Sequence, residues 1–385
     1  MGAGAFSLFI IISSVIGPFV GGMVDRFGPQ RVILLGSLIL GTGLILCSLI
    51  QNWWQFYLFF SIITAIGSGA SGWIPNITLI QRWFEEKRGL ATGIVSAGIG
   101  VGILIYIPLI QYLIIQVGWR TTYRLMGLFI PLIVILIAVV FLRRPPQKIS
   151  FSSTEMGISS KGVRDPWIVN KDWVSRPWTI QRSITTKIFW FLGLSFFLSS
   201  FASLSIFAHQ VAFFIDRGLD PMFASYIVGM VGIMSIGGKV LWGVLSDRIG
   251  REVTYTFGIA CLITGIVLLI AFSSTTSQSM LYFYSFFFGM GYAVVATLPP
   301  LIIADFFEGR AFGGIFGTLM IFVGVGGASG AWFAGFLYDR VGNYLHVFII
   351  LIACAILSCL NIWQAGPRKI RRVPGKKDRD HSDGY

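Results

Sequence analysis

One lysine stands inside an apolar run: Lys239, in the stretch "GGKVLWG" from Gly237 to Gly243. A cation that deep in an apolar segment is costly, so it is a functional candidate by default. Little water screens it there, and an ammonium in such a place attracts a carboxylate strongly. Snorkelling toward the nearer surface is the plainer alternative. His209 is a second candidate, able to hydrogen-bond a carboxylate or carry a proton because its ordinary pKa is about 6.5. Gln210, Tyr106, Tyr226 and Trp73 could line the same space, and each is equally explained as packing. His346 and His381 are peripheral.

A second set of charges sits in two related phrases, "GGMVDRFGPQR" (21–31) and "GVLSDRIGRE" (243–252). Asp25 and Asp247 each close an apolar run at what would be a helix C-terminus, where the helix dipole disfavours an acid. Each therefore needs a partner from elsewhere.

Other chemistry is excluded by its missing parts. No apolar run carries a Ser/His/Asp set, an HExxH or a carboxylate pair, and no GxxxxGK[ST] nucleotide loop occurs, so the chain is not expected to be an enzyme. "GSGASG" (67–72) fits GxGxxG but has no strand before it and no polar mouth. Asn76-Ile77-Thr78 reads as a glycosylation sequon only if it lay outside an apolar run. Cys47, Cys261, Cys354 and Cys359 lie in apolar runs at no metal spacing and read as small core residues. No cofactor is expected.

These residues must be positioned by membrane helices. Hydrophobic residues make up 55% of the 385 residues and charged ones 12%, with mean hydropathy +0.79. Eleven stretches are long enough to span a bilayer, at about 3–24, 32–51, 54–80, 89–115, 122–142, 187–215, 222–245, 253–272, 279–304, 311–337 and 344–364. The fold class is an all-α polytopic membrane protein, because a helix satisfies its own backbone in lipid. A β-barrel would alternate instead.

The net charge of +13 does not imply nucleic acid. All but five of the 29 Lys and Arg fall in the loops after the odd-numbered segments of the first nine and in the tail. Arg120, Arg124, Arg217 and Arg340 lie in the opposite loops, and Lys239 is the fifth. This is the positive-inside asymmetry, which places those loops and the C-terminus in the cytoplasm of a plasma-membrane protein. No basic n-region precedes the first apolar run, so no cleavable signal peptide is expected.

The two phrases belong to a repeat. Asp25, Arg26 and Gly28 map onto Asp247, Arg248 and Gly250 at an offset of 222, and Gly67, Phe84, Glu86, Arg88 and Gly102 onto Gly289, Phe306, Glu308, Arg310 and Gly324. The chain is an internal duplication, one recurrent way to build a transporter. Residues 1–142 form an N-terminal bundle of five spans and 187–364 a C-terminal bundle of six. Residues 143–186 join them as a cytoplasmic loop, and 365–385 form a basic tail. Shifted back by 222, the segment 187–215 falls before Met1. The reading is a twelve-helix plan that lacks its first helix.

Here the residues carry a resemblance. The two phrases, together with "QRWFEEKRGLATGIVSAGIGVG" (81–102), "AHQVAFFIDRGLD" (208–220), "GGKVLWGVLSDRIGR" (237–251) and "LIIADFFEGRAFGGIFG" (301–317), resemble the major facilitator superfamily. Within it they are similar to monocarboxylate transporters and oxalate/formate antiporters. The resemblance implies two pseudo-symmetric bundles around a central cavity, and a secondary carrier of small organic anions, working with protons or a counter-anion. It places Lys239 where such carriers often bind a carboxylate. It also implies a cytoplasmic latch in which each Asp meets a helix N-terminus and neighbouring Arg of the opposite half. The latch residues are Asp25, Arg26, Arg31, Asp247, Arg248, Arg251, Arg88 and Arg310, with the helices beginning near Arg88-Gly89 and Arg310-Ala311.

The substrate site expected from these readings is Lys239, His209, Gln210, Tyr106 and Tyr226. Ser235 stands where monocarboxylate carriers usually have an acid, and residues 311–337 contain no basic residue, which favours a small monoanion. The alternatives are an exporter of drugs or amphiphiles, favoured by 34 Phe, and a transport-inactive sensor or truncated remnant. The expected partners are the anion and the bilayer, with a monomeric protein. Residues 143–186 read as a mostly flexible linker, with Trp167, Trp173 and Trp178 as alternative interfacial anchors.

Overall fold

The computed structural model describes residues 2–84, 87–140, 168–275 and 277–372. The N-terminal half holds α1 (Gly2–Val15), α2 (Gly17–Phe27), α3 (Pro29–Cys47), α4 (Trp53–Phe56), a π-helical stretch (Tyr57–Thr64), α5 (Ala65–Ser71), α6 (Trp73–Trp83) and α7 (Arg88–Val140). Two short helices follow, α8 (Lys171–Val174) and α9 (Ile180–Ile184). The C-terminal half holds α10 (Lys187–Asp216), α11 (Pro221–Ile249), α12 (Arg251–Thr275), α13 (Gln278–Phe306), α14 (Phe312–Val341) and α15 (Leu345–Ala365).

Among the described residues ten segments are long and apolar enough to cross a membrane, against the eleven expected. The expected segment 89–115 is the first arm of α7, which breaks at Gly118 (φ 77°) before the second arm. Several side chains in that first arm, Pro108 among them, lie outside the described residues.

Local chemistry explains where the rods break. The first expected span is two helices meeting at Ile16, with Pro18 in the opening turn of α2, where proline's missing N–H costs nothing. The span expected at 54–80 is interrupted at Gly72, and the Asn76 amide donates to the freed carbonyls of Ser71 (3.0 Å) and Gly72 (2.6 Å). Pro299 and Pro300 sit inside α13 without ending it. The turns after α2 and α11 use Gly28 (φ 87°) and Gly250 (φ 103°), at the same place in each repeat. A side chain is strained in that backbone region, so the repeated glycine is required by the turn.

Within the C-terminal half, Ser195, Tyr255 and Ser358 tie α10, α12 and α15 together through buried hydroxyls, the Tyr255–Ser358 distance being 2.6 Å. α13 is the most enclosed span, with 78% of its apolar window buried. The halves meet along two seams, α2 against α14 and α7 against α11.

Candidate functional site

Both seams are built from backbone. A Cβ at Gly21 would run into the carbonyl of Gly313, and one at Gly89 into the carbonyl of Gly243. Further along, a Cβ at Gly17 would lie 2.8 Å from the Gly317 carbonyl oxygen, and one at Gly93 2.5 Å from that of Lys239. Small residues permit this approach where lipid gives no hydrophobic drive to association.

Each seam is locked at one end by an aspartate. Asp25 accepts hydrogen bonds from the backbone N–H groups of Gly313 (3.0 Å) and Gly314 (2.8 Å). Asp247 accepts from Gly89 (2.9 Å) and Leu90 (3.2 Å). In both helices these are the second and third residues, the N–H groups that an N-cap side chain satisfies. The cap here comes from the other half, and its charge complements the positive end of the helix.

Two features differ from the sequence expectation. The arginines on the aspartates come from the same half: Arg82 to Asp25 (2.8 Å) and Arg251 to Asp247 (2.8 Å). Arg251 also holds Asp305 (3.0 Å). Moreover α14 starts at Phe312, later than Arg310-Ala311, because the turn passes through Gly309 at φ 135°. One expected arginine does bridge the halves: Arg88 pairs with Glu308. Arg26, Arg31, Arg248 and Arg310 are exposed and make no ion pair among the described residues; Arg26 lies over the Phe27 ring.

Lys239 lies on α11, about 15 Å from the helix end at the usual rise per residue. It is only 3% exposed. Its ammonium sits 5.8 Å from the centroid of Tyr292 on α13, and Tyr292 stacks on Phe207 of α10 (5.4 Å). Among the described residues no carboxylate pairs with it. Ser235, one turn earlier, donates to its own helix at Gly232 (2.8 Å).

The other expected site residues are not gathered around Lys239. One ring nitrogen of His209, Nε2, lies 2.9 Å from the Ala331 carbonyl of α14, and Nδ1 3.3 Å from the Tyr344 hydroxyl. Since a carbonyl only accepts, Nε2 carries the proton and Nδ1 accepts from Tyr344. Gln210 is buried and accepts from Tyr284 (2.6 Å). Both side chains are thus engaged inside the C-terminal half, beside a cavity of about 10 Å³ that has room for one water. Tyr106 and Tyr226 are 42% and 58% exposed, and Tyr226 stacks on Phe223. The residues that sequence reasoning missed are Tyr292 and Phe207. No spacing signal marks them among so many aromatics. No group of His, Cys, Asp or Glu among the described residues is placed to hold a metal.

Two helical bundles closed over paired seams, with a buried cation beside one of them, define a polytopic membrane transport protein. The chain belongs to the Major Facilitator Superfamily, whose profile matches residues 2–301 and 215–382. It is 27% identical to the MFS transporter asaE of Aspergillus flavus over 89% of this chain and 72% of that protein. It is 25% identical to Monocarboxylate transporter 13 of Rattus norvegicus (89% and 75%) and 28% to the oxalate:formate antiporter of Oxalobacter formigenes (89% and 79%). Its fold matches the crystal structure of the transporter FucP in the outward conformation, with TM-score 0.69 at 15% identity over 95% of this chain and 90% of that one.

Proposed function

We propose that this protein is a secondary carrier of small organic anions of the monocarboxylate class, working by alternating access in the plasma membrane with its basic loops in the cytoplasm. The observation that carries the reading is Lys239, a buried ammonium with no described carboxylate partner and an aromatic ring as its neighbour. An anion reaching it from the side opposite the two aspartates supplies the missing charge. Relatives named for monocarboxylate and for oxalate and formate transport support that chemistry.

Coupling follows from position. The Lys239 carbonyl is the group on which Gly93 of the other half packs, and Asp247, which caps that half, lies two turns along the same helix. A substrate that draws the Lys239 side chain therefore loads the α7·α11 seam directly. Rocking of the halves about a central site is how such repeats alternate access.

The test is uptake of labelled lactate, formate and oxalate into proteoliposomes. The protein takes up at least one monoanion, and Lys239→Gln lowers kcat/KM for that uptake about 10- to 100-fold or more. Persistence with an unchanged KM removes Lys239 from the site. Wild-type protein that moves none of the three, while retaining its fold, favours a transport-inactive protein.

A further inference from the structure

The connection between the halves and the C-terminal tail are fastened to each other and then to the seam. The backbone N–H groups of Val169 (3.0 Å) and Asn170 (3.2 Å) both donate to the Ile370 carbonyl, and Ile168 bridges Arg371. On the tail side, the Arg368 N–H donates to Glu252 (2.8 Å), and its guanidinium lies 4.8 Å from the centre of the Trp363 ring. On the connection side, the Trp173 indole donates to the Phe306 carbonyl (2.9 Å). Trp173 and Trp178 pack on each other (4.6 Å), and Trp178 on Phe307 (5.0 Å). A mostly flexible linker, as the composition suggests, would leave these indoles in water. Trp178 is instead 8% exposed.

Both ends of this assembly reach the groups that cross between the halves. Ile180 lies where a Cβ on Gly314 would meet its side chain at 2.9 Å, and Gly314 gives its N–H to Asp25. Arg371 holds the Glu308 Oε2 (2.8 Å), while Arg88 of the opposite half takes Oε1. Burial alone would push the Glu308 carboxyl up; Arg88 and then Arg371 outweigh it and hold the group below its usual range.

We propose that residues 168–184 and 366–371 form a clasp that preorganises Glu308 and Gly314 for the opposite half, so that the tail regulates how long the basic face stays closed. The clasp belongs to the C-terminal half and stays with it when the seam opens. Its effect is to keep Glu308 aimed at Arg88, so that closing the seam orders fewer groups. This rests on the alternating-access reading, and the experiment separates the two.

Spin labels at position 31 of the N-terminal half and position 248 of the C-terminal half, in an otherwise cysteine-free protein, report the opening of the basic face as a distance distribution. Arg371→Ala raises the open-to-closed ratio about two- to fivefold, the scale of one partly exposed ion pair. In a Glu308→Gln background the same substitution does nothing further, because Glu308 is the link. Should Arg371→Ala leave the distribution unchanged while Arg88→Ala shifts it, the clasp has no such role and the latch stands. Should neither shift it, the latch fails first and the clasp with it. Arg371→Lys, which keeps the charge, restores most of the closed population; failure to restore it in a folded protein counts against the ion pair as the working contact.

Discussion

At the scale of single residues, Lys239 and Glu308 carry opposite lessons about charge. Lys239 was visible in the sequence because a lone cation in an apolar run is costly and therefore conspicuous. What the run could not tell is that its neighbour is an aromatic face, since Tyr292 and Phe207 come from helices more than 30 positions away on either side of it in the chain. His209 is the converse case: its neighbours Ala331 and Tyr344 engage both ring nitrogens, and only the fold brings them there. Lys239→Arg keeps the charge but spreads it over a larger planar guanidinium, which can also lie on an aromatic face such as that of Tyr292. It retains anion uptake with KM changed about 3- to 10-fold, whereas Lys239→Gln loses about 10- to 100-fold or more in kcat/KM. Equal losses from both would show that charge is not what the site supplies. Glu308, whose side chain is 36% exposed, is held below the ordinary glutamate value of 4.5 by its two arginines. A carboxyl with a depressed native pKa contributes fully above the ordinary value, and that contribution fades as pH falls through the lower one. The Glu308 contribution to closure of the basic face, followed by the same label pair, is therefore constant between pH 5 and 8 and is lost only in more acid solution.

At the scale of elements, the decisive contacts are between helix backbones. The duplication at 222 residues predicts that α2 and α11 are equivalents, and both do end in an aspartate that caps the opposite half. The repeat stops short at the helices being capped: α7 begins at Arg88 but α14 at Phe312, so the offset there is 224. The turn before α14 passes through Gly309 at φ 135°, and its repeat partner is Lys87, so the two turns differ in sequence as well as in length. The seam glycines were legible as a class and not by position. Gly89→Ala places a methyl against the Gly243 backbone and 2.6 Å from Asp247 Oδ1. Overpacking of that kind costs about 1–3 kcal/mol, so the open-to-closed ratio at the basic face rises about tenfold. Gly98→Ala, on the same helix with nothing within 4 Å, is the control. It gains helix propensity and leaves the ratio unchanged. A shift as large for Gly98→Ala would mean that the helix itself, and not the seam, responds to the substitution.

At the scale of the whole molecule, the question is whether the two seams open as one. They are equivalent in plan and unequal in chemistry. At the first, Asp25 holds Arg82 as its one ion-pair partner among the described residues. At the second, Arg251 is shared between Asp247 and Asp305 and stays paired if Asp247 is neutralised. Lys239 occupies the place whose repeat partner is Gly17, so one seam carries the buried ammonium and the other carries bare backbone. If each half moves as a rigid body, a bond lost at either seam raises the open population everywhere. Asp25→Asn then lengthens a label pair spanning α7·α11 by the same fraction as a pair spanning its own α2·α14 seam. The double variant with Asp247→Asn multiplies the two single open-to-closed ratios, since the aspartates share no partner and their free energies add. Asp25→Asn is the more harmful of the two to thermal stability, because it leaves Arg82 unpaired where Arg251 would retain Asp305. If only the local pair responds to each substitution, the seams open separately. Lys239 would then communicate with α7·α11 alone, and substrate binding would have to unlatch the molecule one side at a time.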